Sequence, residues 1–340
     1  MTLAGDRAQP TLVEVADRAG VSRATVSRVV NGSPRVSPEV RALVQRAIAD
    51  LGYVPNRAAR SLVTRRTDSI ALVISEPEDR VFSEPFFARI VRGVSGVLAH
   101  TDTQLVLVVA QNPAEEARLE RYVAGGHVDG VLLASLHGDD PLPRKLEDAG
   151  VPVVLVGRPA AVTRASYVDA DNRGGAAMAV QHLLAEGRRR IATITGPLDM
   201  AAGRDRLDGY LDALRAAGAG DGDGLVEVGD FREESGARAM RALLHGHPDL
   251  DAVFAASALM AAGALGALRA AGRRVPDDVA VVGFDDSAIA RWSEPPLTSV
   301  AQPIEEMGRQ MARLLLARIS GEAAGLSVIL QTELIVRESG

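Results

Sequence analysis

Cysteine is absent from the 340-residue chain, which excludes disulfide bonds and cysteine-ligated metal sites. The N-terminal stretch MTLAGDRAQP is polar and lacks the apolar core of a signal peptide. No apolar run reaches the length of about 20 residues that a membrane-spanning helix needs. The lack of cysteine fits a reducing compartment, and the lack of a signal peptide and of a membrane-spanning run fits a soluble protein. We therefore expect a soluble protein of the cytoplasm.

The signatures of common enzymes are also missing. The 6 histidines are scattered, and the chain contains no HExxH, no GxSxG and no phosphate-binding glycine loop before a helix. We therefore predict that the protein is not an enzyme and that it carries no metal or cofactor. Aromatic residues make up only 3% of the chain, so the places where they cluster are informative.

Positive charge is concentrated at the N-terminus, although the whole chain has a net charge of −6. Residues 1–66 contain 11 arginines and 5 acidic residues, whereas the remainder contains 27 basic and 39 acidic residues. A basic head on an acidic body directs the attraction of DNA to one module and limits nonspecific binding elsewhere.

The basic region has the pattern of a helix-turn-helix. A capping box at Thr11 predicts a first helix, Ser22 caps a second after a glycine break, and Ser37 with the following proline starts a third. One face of the second helix combines arginines with small side chains, which suits base edges and phosphates in a major groove: Arg23, Ala24, Ser27 and Arg28. The alternative is a surface helix with solvated arginines.

A basic linker, residues 55–66, follows the head. Its candidate helix, Asn56–Leu62, is too short to persist alone in water, so we expect it to form only when a partner holds it. Leu62 is an apolar residue in this basic segment and suits a wedge between base pairs. The alternative is an ordinary charged linker.

From residue 69 onward, apolar strand candidates alternate with amphipathic helix candidates, which predicts parallel sheets covered by helices. The strand candidates are 69–75, 104–110, 128–134, 151–157, 190–196, 251–257, 279–285 and the C-terminal stretch VILQTELIVRES. The helix candidates are 86–99, 114–124, 173–186, 204–217, 234–245, 259–271 and 304–320. The length favours two similar lobes that face a shared cleft with the carboxyl ends of their strands.

Polar residues at the predicted strand ends are candidate ligands for a small molecule. Arg206 and Asp285 could bind vicinal hydroxyl groups, one donating and the other accepting hydrogen bonds. A structural ion pair is the alternative. Three of the 6 phenylalanines lie within residues 82–87, where aromatic faces could stack on sugar rings or simply fill a core.

The stretch VADRAGVSRATVSRVVNG, followed by GYVPNRAARSL, resembles the LacI/GalR family of bacterial transcriptional repressors. In that family the linker is a hinge helix that pairs with its dimer mate in the minor groove, and the position of Leu62 wedges into a base step. The resemblance implies these DNA-binding residues: Thr11, Ser22, Arg23, Ala24, Thr25, Ser27, Arg28, Asn31, Tyr53, Asn56, Ala59, Arg60 and Leu62.

The resemblance also implies a fold: an all-α helix-turn-helix head with a hinge helix, then an α/β bilobed, periplasmic-binding-protein-like effector domain. The expected domains are the head at 1–54, the hinge at 55–66 and the body at 67–340. Lobe 1 is expected at about 67–167 and 300–327, and lobe 2 at about 168–298 and 328–340. The chain should cross between the lobes near 166–170, 297–301 and 325–329.

The resemblance implies that the effector pocket contains Phe86, Phe87, Arg206, Phe231, Asp285 and Gln302. From the residues themselves we expect Trp292 to add an aromatic wall and Glu76 to reach the cleft. The predicted effector-binding set also includes Ser257 at a strand end. Ser257 lies where many members have Asn, and Ala258 where Asp is usual, so the polar contacts of this strand end differ. The stretches VTRRTDSIALVISE, FSEPFFARIVRGV, HVDGVLLASLHGDDPLP and EPPLTS are similar to the actinobacterial branch that includes cellobiose-responsive repressors.

These observations predict a homodimeric repressor that binds a palindromic operator on double-stranded DNA and responds to a small sugar, cellobiose first, as inducer. One alternative is a corepressor mechanism with a different small-molecule effector. Another is a sugar-binding protein without a role in gene regulation, which would need a signal peptide and no basic head.

Overall fold

The computed structural model describes residues 10–30, 33, 35–54, 66–159, 164–220, 224–322 and 327–340. The chain divides into two compact units, a head at residues 1–67 and a body at residues 68–340. Within the described residues, no helix is long and apolar enough to cross a membrane.

The head contains three helices: α1 (Leu12–Ala19), α2 (Arg23–Val30) and α3 (Pro38–Leu51). The predicted capping box is present at the start of α1. The Thr11 hydroxyl accepts from the backbone N–H of Glu14 at 3.4 Å, and the Glu14 carboxylate accepts from the backbone N–H of Thr11 at 2.6 Å. Gly20 ends α1 with a φ of 65°, a left-handed conformation that glycine adopts without strain.

The three helices of the head enclose a small core. Its buried members come from all three helices and from the segment after α3: Val15, Ala16, Val26, Val29, Val44, Ala47 and Tyr53. Since α3 covers the apolar faces of α1 and α2, the outer face of α2 stays in solvent. This arrangement is a helix-turn-helix.

The body has two sheets, each of six strands within the described residues. The first, which defines lobe 1, contains β1 (Ser69–Ile74), β2 (Gln104–Val109), β3 (Gly130–Ala134), β4 (Val153–Val156), β5 (Ser166–Ala170) and β11 (Ser327–Leu330). Its order is β11-β5-β4-β3-β1-β2, with every pair parallel. The helices of lobe 1 are α4 (Glu78–Ser83), α5 (Pro85–Leu98), α6 (Pro113–Ala124), α7 (Leu142–Asp148) and α13 (Ile304–Ile319).

The second sheet defines lobe 2 and contains β6 (Ile191–Thr195), β7 (Val226–Val228), β8 (Ala252–Ala255), β9 (Ala280–Phe284), β10 (Thr298–Ala301) and β12 (Glu333–Ile335). Its order is β12-β10-β9-β8-β6-β7, parallel except for the pair β10–β12. The helices are α8 (Asn172–Ala185), α9 (Ala201–Ala216), α10 (Glu233–Gly246), α11 (Ala258–Ala270) and α12 (Ala288–Trp292). Apolar clusters lie on both faces of each sheet, as parallel sheets require.

The chain crosses between the lobes slightly later than the sequence predicts. The three predicted positions are occupied by β5, β10 and β11, and each crossing follows the end of its strand: after Ala170, after Ala301 and after Leu330. The C-terminal stretch VILQTELIVRES is divided into β11 and β12 in different sheets rather than forming one strand. The strands β5 and β10 are only five and four residues long, and they occupy the positions where the resemblance implies the first two crossings.

Candidate ligand site and nucleic-acid interface

A cavity lies between the lobes where the carboxyl ends of the parallel strands of both sheets meet. It is an open cleft with about 730 Å³ of space between the protein atoms, part of which is bulk solvent. Lobe 1 contributes Arg80, Glu84, Phe86, Phe87, Ser135, Leu136, Val156, Gly157, Arg158, Asp169 and Met307. Lobe 2 contributes Asn172, Met200, Ala201, Ala202, Arg206, Phe231 and Asp285, with Gln302 at the second crossing.

The centre of the polar lining is the pair formed by Arg206 on α9 and Asp285 after β9. Arg206 is 5% exposed, and its Nη1 lies 3.6 Å from Asp285 Oδ1. The same carboxylate oxygen accepts from Gln302 Nε2 at 2.5 Å. The guanidinium stacks on Phe284, 3.8 Å from the ring centroid, and such stacking holds a cation without removing its hydrogen-bonding edge.

A second polar cluster belongs to lobe 1 and is organised by Arg80. Its Nη1 donates to Glu76 Oε1 at 2.6 Å, and its Nε donates to Glu84 Oε2 at 2.9 Å. Ser135 Oγ donates to the same oxygen of Glu76. Burial raises the pKa of the Glu84 carboxyl to about 7, although the charge of Arg80 opposes this shift. The cavity wall therefore contains a carboxyl group that titrates near neutrality.

Aromatic rings line the cavity from both lobes. Phe86 and Phe87, in the first turn of α5, make an edge-to-face pair with 5.5 Å between ring centroids. Phe231 of lobe 2 has a φ of 69°, and the Arg80 guanidinium lies 5.5 Å from its ring centroid. A Cβ at Gly196 would lie 2.0 Å from the Phe231 ring, so this ring position requires glycine there.

Ion pairs join the two lobes around the cavity. Arg158 of lobe 1 pairs with Asp205 of lobe 2 at 2.5 Å, and Asp79 pairs with Arg232 at 2.8 Å. His137, which follows β3, contacts Asp199 of lobe 2 at 2.9 Å through Nδ1. The structure therefore represents an arrangement in which the lobes are in polar contact across the cleft mouth.

In the head, α2 presents a polar outer face. Ser22, Arg23, Ala24 and Arg28 are exposed, while Thr25 and Ser27 are half-buried. Ser22 begins the helix, and its hydroxyl accepts from the backbone N–H of Thr25 at 3.2 Å. Arg23 at the start of α2 and Arg28 in its last turn both lie on the outer surface of the head.

Comparisons with known proteins agree with both units. The model of the bacterial regulatory proteins of the lacI family matches residues 11–56, and the periplasmic binding protein-like domain model matches residues 180–340. The HTH-type transcriptional regulator CelR of Thermobifida fusca is 58% identical over 98% of this chain and 99% of its own length. The repressor CytR of Escherichia coli K12 is 34% identical over 97% of this chain and 96% of its own length.

The chain belongs to the lacI family of bacterial regulatory proteins. Two solved structures extend the similarity. A CelR–cellobiose complex has a TM-score of 0.79 at 56% identity and covers 98% of this chain and 100% of its own. The lac repressor dimer bound to operator and the anti-inducer ONPF has a TM-score of 0.83 at 27% identity. The match covers 97% of this chain and 99% of the lac repressor chain. The predicted family and fold class are confirmed, as is the prediction of a DNA-binding transcriptional repressor.

For this lacI-family member, the structure brings six of the nine sequence-predicted effector residues to the cavity: Phe86, Phe87, Arg206, Phe231, Asp285 and Gln302. Glu76 is 4% exposed and lies behind Arg80 rather than on the cavity wall. Ser257 caps α11, accepting from the backbone N–H of Met260 at 3.2 Å, and with Ala258 it lines a small adjoining space.

The prediction that Trp292 forms a wall of the pocket is wrong. Its side chain is 86% exposed, and Trp292 is not among the described residues that line the cavity. It is the last residue of the short helix α12. No periodic apolar pattern marks this segment as a helix, because the helix spans only about one turn and a half.

The predicted DNA-binding residues fall into four groups. Those on α2 are exposed or half-buried at its outer face, whereas Thr11 is engaged in the capping box of α1. Tyr53 is 9% exposed and packs in the core of the head, so its ring supports the head rather than forming part of its outer surface. Asn31, Asn56, Ala59, Arg60 and Leu62 lie outside the described residues.

Sequence reasoning missed several polar residues of the cavity wall: Arg80, Glu84, Asp169 and Asn172. Asp169 lies inside the segment where the first crossing is predicted, 166–170, and Asn172 lies two residues after that segment. Glu84 immediately precedes Pro85 and the paired phenylalanines. Its position next to the predicted aromatic wall is the feature of the sequence that could have identified it as a cavity residue.

Proposed function

We propose that this repressor binds cellobiose, or a related neutral oligosaccharide, between its two lobes, and that the bound sugar acts as an inducer that weakens operator binding. One observation carries the proposal: Arg206, Asp285 and phenylalanines from both lobes line the same cleft. The relationship to CelR supports it, because a structure of that regulator is a cellobiose complex.

The chemistry of the cleft favours a neutral polyhydroxylated ligand. Arg206 donates and Asp285 accepts, so adjacent hydroxyl groups of a sugar ring can engage both. Phe86 of lobe 1 and Phe231 of lobe 2 both line the cleft, and aromatic rings suit the C–H faces of a pyranose.

A phosphorylated sugar fits the cleft less well. The buried arginines of the lining are already paired with carboxylates, Arg80 with Glu84 and Arg206 with Asp285. A phosphate group would therefore meet compensated cations and nearby negative charge. This electrostatic balance separates the proposed ligand from sugar phosphates.

Ligand control follows from the placement of the site between two bodies. A sugar that contacts both lobes favours one angle between them, and such coupling is typically worth about 1–3 kcal/mol. The proposed partners are a second copy of this chain and a palindromic operator, with each head reading half of it through α2. Residues 55–66 would serve as the hinge, with the head before and the body after.

A corepressor mechanism remains the alternative within the same family. The sugar would then tighten operator binding instead of weakening it. We also propose that the protein performs no chemistry on its ligand and acts in the cytoplasm, where its DNA target lies.

The deciding experiment combines calorimetric titration with an operator-release assay, using cellobiose, glucose, xylobiose and glucose 6-phosphate. We expect tight binding and operator release with cellobiose or xylobiose and no effect of the phosphate ester. Binding of glucose 6-phosphate alone would overturn the ligand class, and tighter operator binding with cellobiose would establish the corepressor alternative.

A further inference from the structure

Asn172 occupies a position that neither the sequence pattern nor the proposed ligand chemistry explains. It is the first residue of α8, directly after the first crossing from lobe 1 to lobe 2, and it is 2% exposed. Its side-chain oxygen accepts from Arg206 Nε at 2.9 Å. Its side-chain nitrogen donates to Asp169 Oδ1 at 2.9 Å and to the backbone carbonyl of Ala170 at 3.2 Å.

The orientation of this amide follows from its neighbours. A guanidinium can only donate and an ionised carboxylate can only accept, so the Asn172 oxygen must face Arg206 and the nitrogen must face Asp169. Asp169 is held in turn by the backbone N–H groups of Ala170 at 2.8 Å and Arg158 at 3.1 Å. A continuous path of hydrogen bonds therefore runs from the end of lobe 1 to the guanidinium of lobe 2.

The other member of the ligand-binding pair is tied to the second crossing. Gln302 follows β10, and its side-chain nitrogen donates to Asp285. Arg89 of lobe 1 donates to the backbone carbonyls of Asp285 at 3.1 Å and Gln302 at 3.4 Å. Thus Arg206 and Asp285 are each attached to a segment that must turn when the lobes change their angle.

Two of the three guanidinium nitrogens of Arg206 are committed to the protein. Nε donates to Asn172, and Nη1 donates to the carbonyl of Ala256 at 2.5 Å. These bonds, together with stacking on Phe284, determine where the remaining nitrogen points. Without the Asn172 acceptor, the guanidinium group could rotate about the Cδ–Nε bond of Arg206 and lose its alignment with Asp285.

We propose that Asn172 is a positioning residue for the effector: it fixes the orientation of Arg206 and attaches it to the first crossing, so that lobe angle and sugar affinity are coupled. This inference rests on the proposed function. A buried hydrogen bond to a charged group contributes enough that its loss should lower sugar affinity by about 10- to 100-fold.

The test is a double-mutant cycle on cellobiose affinity, with Asn172→Ala, Arg206→Lys and the double variant. Lysine keeps the positive charge but has no counterpart of the Nε–H donor. We expect Asn172→Ala to weaken binding by about 10- to 100-fold in the wild-type background and by less than about 3-fold in the Arg206→Lys background. Equal effects in both backgrounds would show that Asn172 does not act through Arg206, and an unchanged affinity would overturn the proposal.

Tyr210→Phe is the matched control. Tyr210 donates to the backbone carbonyl of Ile191 at 2.8 Å in the core of lobe 2, so its loss removes one buried hydrogen bond away from the cleft. We expect its cellobiose affinity to stay within about 2-fold of wild type. A loss equal to that of Asn172→Ala would mean that general loosening of lobe 2, rather than positioning, explains both. Asn172→Ser, also too short to reach Arg206, replaces the alanine variant if that protein does not fold.

A ligand-free measurement separates this inference from the proposed function. The Nε–H proton of Arg206, assigned in the ¹⁵N spectrum by its loss in Arg206→Lys, should exchange slowly in wild type and at least about 10-fold faster in Asn172→Ala. If wild type binds none of the sugars while this difference is seen, the sugar assignment fails and the positioning by Asn172 stands. Equally fast exchange in both proteins would refute the positioning whatever the ligand.

Discussion

The head and the body place arginine in opposite environments. On α2, Arg23 and Arg28 are exposed to solvent. In the cleft, Arg80 and Arg206 are 6% and 5% exposed, and each is bound to carboxylates, amides or carbonyls on neighbouring elements. In the proposed function, the same residue type contacts DNA at an exposed surface and binds a ligand in a cavity where its own position is fixed by hydrogen bonds.

This difference determines how each region responds to substitution. An exposed side chain contributes its own contacts, and its removal leaves no buried group unsatisfied. A buried charge that loses its partner incurs the full cost of desolvation, so truncation of one member affects the whole cluster. The cleft should therefore be much less tolerant of single changes than α2.

The largest effect is expected from Arg206→Ala. The variant leaves Asp285 without its cation and leaves Asn172 and the Ala256 carbonyl without their donor. Breaking a buried pair costs about 3–5 kcal/mol, so calorimetry should detect no cellobiose binding or a loss of more than about 100-fold. Operator affinity without sugar should stay within a few fold of wild type, and a full sugar response would contradict the assignment of the cleft.

Arg28→Ala should have a smaller effect that is confined to DNA. Loss of a contact to a base edge costs about 1–3 kcal/mol on the specific operator, and the cellobiose affinity of the body should not change. Fluorescence anisotropy on operator and on random DNA distinguishes the two possible roles. An equal loss on both DNAs would make Arg28 a phosphate contact, and no loss on either would remove it from the interface.

Leu62→Ala should weaken operator binding by a few fold and reduce the bend of the DNA, because an apolar wedge unstacks a base step. This residue lies outside the described part of the chain, so the prediction rests on the sequence and the family. Gel mobility of circularly permuted operator fragments measures the bend. Identical curvature with both proteins would refute the wedge.

The sequence predicted the head and the alternation of the body well because both depend on local signals. The helix caps at Thr11 and Ser37 determine where the adjoining helix begins. The apolar runs of β1 and β9 likewise identify each strand from its own residues. The exact residue at which the chain crosses between the lobes could not be predicted from such local signals. Whether Ala170 ends a strand of lobe 1 or begins a connection depends on its pairing with β11, about 160 residues away in the chain.

Site residues could be predicted where their side-chain chemistry suggested a role in binding. They could not be predicted where tertiary packing determines which way a side chain points. Arg206 and Asp285 were paired from their residue types at strand ends, and the structure brings them together. Asn172 had no such signal because an amide at a helix start is common. Trp292 was assigned to the pocket because it is aromatic, but the orientation of a helix of one turn and a half is determined by its packing.

The smallest effect concerns His137, which is 36% exposed and joins the two lobes. Its Nε2 lies 3.0 Å from Glu76 Oε1 and its Nδ1 lies 2.9 Å from Asp199 Oδ2. Since both carboxylates only accept, both contacts as hydrogen bonds require a doubly protonated, cationic ring. The hydrogen bond with Glu76 first, then that with Asp199, raises the pKa of His137 despite its partial burial.

A raised pKa means that the contact between the lobes is fully stabilising below the ordinary histidine pKa and is lost as the pH rises through the raised value. Cellobiose affinity should therefore fall by about 2- to 5-fold with increasing pH, a modest change because the pair is partly screened by solvent. Glu84, whose pKa is raised to about 7 by burial, also titrates near neutrality, so a single titration does not separate the two groups. Calorimetric measurement of cellobiose affinity against pH for His137→Gln and Glu84→Gln separates them. If His137→Gln abolishes the fall in affinity seen in wild type and Glu84→Gln retains it, the pH response belongs to the contact between the lobes. The reverse pattern assigns the response to the cavity wall.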